Sequence, residues 1–120
     1  MATFSKNILS GSTNGRPILV NQTAIATGTT IHTGPTETSS FDEIWLYASN
    51  TSTASKKLII GWGGVADPDD LIEINLAAES GLVLIAPGLI LKGVGTALIV
   101  KASATDATSI NILGYVNSIV

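Results

Sequence analysis

Cysteine is absent from this chain. That excludes disulfide stapling, thiol nucleophiles and thiolate metal sites, and it leaves the redox compartment unmarked. Charge is also scarce, with Asp, Glu, Lys and Arg making up 12% of the residues against a usual share of about 25%. Its sign is wrong for nucleic acid or anionic lipid, because 6 basic residues against 9 acidic ones leave a net charge of −3, with no basic patch to meet phosphate. Lys56-Lys57 is the only basic pair. Histidine occurs once, as His32, so a catalytic triad or an imidazole metal site has to be built around that residue. It sits in "TTIHTGP", at the end of an expected strand just before a turn. No G-x-S-x-G nucleophile turn is present among the many serines.

What the chain does have is Ser, Thr and Asn in place of charge, and a length of 120 residues, which suits one domain able to fold without a metal. A weakly charged, short-sided surface of this kind favours contact with other protein. The first residues, "MATFSKNILSGSTNGRP", carry Lys6 but no apolar core of secretory length, so they do not read as an export signal. Asn21-Gln22-Thr23 and Asn50-Thr51-Ser52 fit the glycosylation acceptor pattern and are read as chance matches in so Thr-rich a chain.

The longest apolar window is "GLVLIAPGLILKGVGTALIV", Gly81 to Val100. It has the length of a membrane span, about 20 residues, but Pro87-Gly88 and Lys92-Gly93 interrupt it. A central lysine costs about 2.5–3.5 kcal/mol on insertion scales, and Gly and Pro weaken any helix by about 1 and 3 kcal/mol. Cut at those points, the window predicts three short strands, "LVLIA", "LILK" and "TALIVKA".

The same rhythm runs through the remainder. "PILVNQT" (Pro17 to Thr23) predicts a strand, and "AIATGTTIHT" a second one bent at Gly28. "FDEIWLYAS" alternates, placing Ile44, Leu46 and Ala48 on one face and Glu43, Trp45 and Tyr47 on the other. "KKLIIGW" follows, then the turn-rich "GGVADPDD". "LIEINLA" turns Ile72, Ile74 and Leu76 inward, and "INILGYVNSIV" gives Ile110, Ile112 and Val116 a shared face. Nowhere does an apolar stripe of helical period persist. These elements predict an all-β chain of about eight or nine short strands, an antiparallel β-sandwich of jelly-roll type. Residues 17–120 form the domain, and residues 1–16 an extended N-terminal arm.

Several strands are apolar on both faces, and a two-layer sandwich covers only one of them. The expectation is a homo-oligomer, with Trp45, Tyr47, Trp62, Leu89 and Leu91 at its interface, since aromatics are enriched at interface cores; threefold assembly is a common solution. Asp67 to Asp70, "DPDD", offers carboxylates but lacks the alternating ligands, central Gly and distal Glu of a helical calcium loop. The glycine-rich "GWGG" and "KGVGTA" open no helix, so no phosphate cradle is expected. Residue chemistry therefore points to no enzyme, no cofactor and no metal.

The second half carries a resemblance. A "DPDD" turn precedes an I-x-I strand (Asp67 to Ile74), then "GLVLIAPGLIL" (Gly81 to Leu91), "VKA" (Val100 to Ala102) and "INILGYVN" (Ile110 to Asn117). In this order they resemble the small β-rich virion proteins of tailed phages infecting cyanobacteria and other aquatic bacteria. The resemblance covers about half of the chain and implies a capsid decoration (cement) protein. Such a protein would be a trimer on the exterior of the phage head, assembled in the host cytoplasm, binding the major capsid protein and bridging its subunits against internal pressure. The arm would then lie along the capsid or a neighbouring subunit, anchored by Phe4, Ile8 and Leu9. The rival expectation is a fibre-type module contacting host glycans, which requires Trp62 open to solvent beside Asp67 to Asp70. Neither reading involves nucleic acid or a membrane.

Overall fold

Alternation in the segment Phe41–Asn50 is what makes it a strand. Ile44, Leu46 and Ala48 are fully buried, while Glu43, Trp45 and Tyr47 are only half-buried, as a period of two requires when one face meets a core. The computed structural model, which describes residues 2–120, extends this arrangement to nine strands. In chain order they are β1 (Phe4–Ile8), β2 (Ile18–Leu19), β3 (Thr29–Thr33), β4 (Phe41–Asn50), β5 (Lys56–Trp62), β6 (Leu71–Leu76), β7 (Val83–Lys92), β8 (Ile99–Ala104) and β9 (Ile110–Ile119). A single 3-10 turn at Ile25–Thr27 is the only other regular element among the described residues.

The strands pair antiparallel as nested hairpins: β5 with β6, β4 with β7, β3 with β8, and β2 with β9. Wrapping this long double ribbon brings β4 beside β9 and β5 beside β8. The result is two sheets, a five-stranded one in the order β1-β9-β4-β7, with β2 also on β9, and a four-stranded one in the order β3-β8-β5-β6. This interleaving is a jelly roll, the two-Greek-key sandwich. Between the sheets lie Val20, Ile31, Ile44, Leu46, Leu58, Ile60, Val100, Ile110, Ile112 and Val116, all fully buried. Each such Val, Leu or Ile contributes about 1.5–3 kcal/mol through burial. Thr3 and Val120 exchange backbone hydrogen bonds of 2.7 and 3.0 Å, which continue the β1–β9 pairing beyond Phe4 and Ile119.

Three expectations need correction. The window Gly81 to Val100 forms two strands rather than three, because β7 runs straight through Pro87-Gly88. Leu89 lies opposite Ile44 and Pro87 opposite Trp45, so Gly88 is the extra residue of a bulge, at φ +77°. As an edge strand, β7 accommodates the missing proline N–H. The segment Pro17 to Thr23 contributes only the two-residue β2 before the chain leaves for the 3-10 turn. Residues 1–16 are not a separate arm, Met1 lying outside the described residues. β1 is paired to β9 over Phe4↔Ile119 to Ile8↔Tyr115, because that half of β9 would otherwise be an open edge. No helix among the described residues is long and apolar enough to cross a membrane.

Candidate functional site

His32 lies on β3, in one sheet, and Asp42 on β4, in the other. Their side chains meet in the interior, with His32 Nε2 2.7 Å from Asp42 Oδ2. The backbone N–H of Ser10 donates to His32 Nδ1 at 3.0 Å, so Nδ1 is the acceptor and Nε2 carries the proton given to Asp42. The Ser10 hydroxyl accepts from the Thr33 N–H at 2.6 Å. A serine, a histidine and an aspartate thus stand together, but not as a nucleophilic relay. The serine meets the imidazole through its backbone N–H, and both ring nitrogens are already engaged. What the group does is tie the two sheets to the turn after β1. The carboxylates of Asp67, Asp69 and Asp70 gather no metal set; among the described residues no group of three potential ligands converges. Asp70 instead accepts from the Ala66 N–H at 3.1 Å, which is turn chemistry.

The feature that stands out lies on the outer side of the five-stranded sheet. Residues paired across an antiparallel ladder share a face, so the register places Phe4, Ile119 and Phe41 in one row across β1, β9 and β4. Lys6, Asn117 and Glu43 make the next row, and Ile8, Tyr115 and Trp45 the third. Leu113 and Tyr47 continue the face along β9 and β4, and Leu84, Pro87 and Ile90 extend it onto β7. Phe4 is 69% exposed and Ile90 57%. The Trp45 and Tyr115 rings stack with centroids 6.0 Å apart, and the Trp45 indole lies against Gly88, where a Cβ would come within 3.0 Å of it.

Two charges stand inside this apolar field. The Trp45 indole N–H and the Asn117 amide donate to Glu43 Oε1 at 2.8 and 3.0 Å. These bonds hold the Glu43 carboxyl below the usual carboxylate range, the indole contributing most. Lys6 lies with its ammonium 4.8 Å from the centre of the Tyr115 ring, a cation–π contact. Between the two charges is a depression of about 280 Å³ lined by Phe4, Ser5, Lys6, Glu43, Asn117 and Ile119. The other sheet presents a different exterior. Its outer side carries the Lys57–Glu73 ion pair (2.7 Å), and the Ile25–Thr27 turn packs over β5 and β8. Contiguous apolar surface of the first kind marks a contact site more often than scattered exposed residues do.

The residues expected at contacts separate cleanly in the structure. Phe4 and Ile8, expected in an arm, and Trp45 and Tyr47, expected at an oligomer interface, come together on this one face. Leu9 and Leu91 do not join them. At 1% and 5% exposed they belong to the core, because Leu9 turns inward after β1 and Leu91 pairs with the inward-facing Asp42. Leu89 pairs with the inward-facing Ile44 at the open edge of β7 and stays exposed there. Trp62 packs against the core of the other sheet and is no open stacking platform beside Asp67 to Asp70. Composition and motifs do not single out Tyr115, Lys6 and Glu43; the period-2 register of β9 against both neighbours is the signal that finds them. Compared with protein-family models, curated proteins and solved structures, the chain matches none.

Proposed function

We propose that this protein is a virion structural protein, a capsid decoration (cement) protein that binds the exterior of a phage head and braces the shell by bridging major capsid subunits. The observation that carries the reading is the apolar outer face of the five-stranded sheet, bearing Phe4, Ile8, Trp45 and Tyr47 on a chain with little charge. Such a face is unfavourable in water and is stabilised by protein cover, whether from a sister copy or from the shell. The order of motifs from Asp67 to Asn117, which resembles small phage virion proteins, supplies the kind of assembly. The engagement of both His32 nitrogens supports a scaffold role for the one histidine.

The test is made on heads. Purified protein is added to heads that lack it, and the temperature at which they release their DNA is followed. Bound protein in ordered, multiple copies and a higher release temperature are the expected result. Heads that neither bind it nor gain thermal survival overturn the proposal.

A further inference from the structure

We infer that the outer face of the five-stranded sheet is a twofold contact between two copies of this chain, with Lys6 of each copy seated on Glu43 of the other. This pairing rests on the register and on the two charges; it assigns the apolar face to a sister copy, so that shell binding would fall to another surface of the dimer. Lys6 and Glu43 both pair with Asn117, one from β1 and one from β4, so they stand level with each other on either side of β9. A rotation by half a turn about an axis along β9, in the plane of contact, lays β9 on β9 and β1 on the partner's β4. The rows then match residue by residue. Phe4 meets the partner's Phe41, Lys6 the partner's Glu43, and Ile8 the partner's Trp45. Asn117 meets its own copy, as do Ile119 and Tyr115. Every opposition is apolar on apolar, amide on amide, or cation on anion, as an isologous interface demands.

The charges also select this axis over its neighbours. Among the described residues neither Lys6 nor Glu43 has an ion-pair partner within the chain. Sliding the partner across by one strand, which puts the axis midway between β9 and β4, would set Asn117 on the partner's Glu43 and Lys6 on the partner's Ile90, which is level with Glu43 on β7. That would bury an ammonium against hydrocarbon, at a heavy desolvation cost. A shift along the strands by one row sets both charges against apolar side chains. The parallel course of the facing strands suits aligned sheet packing, in which twist leaves an angle of about 30°.

The experiment is the mass of the purified full chain in solution, by sedimentation equilibrium, for the native protein and for Lys6→Glu and Glu43→Lys. Two copies per particle are expected for the native chain. Each reversal sets like charges together twice per dimer, so its dissociation constant should rise by roughly 100-fold or more. Mixing the two variants should restore association as a one-to-one heterodimer. The carboxylate introduced at position 6 then meets the ammonium introduced at position 43, and the unaltered Lys6 of one copy meets the unaltered Glu43 of the other. A variant that had merely lost its fold could not be rescued by mixing. A native monomer, a native trimer, or variants that stay monomeric when mixed would each overturn the pairing. Head binding is read in a separate assay, so failure of one proposal leaves the other standing.

Discussion

Asn50 closes β4 with a fully buried amide that ties the loop after β4 to the end of β6. Its Nδ2 donates to the carbonyls of Ala54, Leu76 and Ala77 at 2.9, 3.1 and 3.2 Å, and its Oδ1 accepts from the Ser52 N–H at 3.0 Å. Truncating it would orphan those buried groups, so Asn50→Ala is expected to cost about 2–4 kcal/mol, measured as a lower urea midpoint. Asp106 is the counterpart on the surface. The Lys56 ammonium at 2.7 Å, then the Ser109 hydroxyl and the Thr108 N–H, hold its carboxyl far below the ordinary carboxylate value. A folded value below the unfolded one, about 3.9, means the stabilisation is complete above that pH and fades as acid takes the pH toward the folded value. Asp106→Asn should therefore shrink the difference in urea midpoint between pH 6 and pH 2.5, and leave unchanged the difference between pH 6 and pH 8. At this scale the sequence is least informative. Nothing in the spacing of His32 and Asp42 announces that they meet, because their strands belong to different sheets.

Among the elements, β4, β6 and β9 are legible because their alternation is local and survives any tertiary context. β7 is not. Pro87-Gly88 is written in the vocabulary of turns, and only the ten-residue β4 running beside it converts the pair into a bulge. Gly88 holds φ +77° beneath the Trp45 indole. A branched side chain there meets both backbone strain and the ring, so Gly88→Val should cost about 1–3 kcal/mol and reduce the near-ultraviolet dichroism of the Trp45–Tyr115 stack. β1 is hidden for a related reason. Phe4, Lys6 and Ile8 alternate with Ser5 and Asn7, but none of the five is buried, so composition suggests a loose arm where pairing with β9 makes an edge strand.

For the whole molecule, the strand class can be read from turn spacing, and the count agrees because the extra strand expected in the apolar window offsets the unexpected β1; the nesting of β2·β9 around β3·β8, β4·β7 and β5·β6 cannot be read. Pairings such as Ile18 with Ile112 join opposite ends of the chain, and no local period records them. The same nesting sets the kinetics. Loops that long must close before those pairs repay the lost entropy, so refolding from urea should take milliseconds to seconds rather than microseconds, as stopped-flow tryptophan fluorescence would read. A microsecond phase accounting for the full amplitude would contradict the nested order.

The hydrogen-bonded meeting of Thr3 with Val120 brings the start of β1 and the end of β9 to one place. A segment attached before Thr3 or after Val120 leaves from one corner of the sandwich, beside the Phe4–Ile119–Phe41 row. A bulky fusion at that corner would crowd a sister copy docked on the face, whereas a reporter inserted in the turn between β5 and β6, which belongs to the other sheet, would leave the contact face clear.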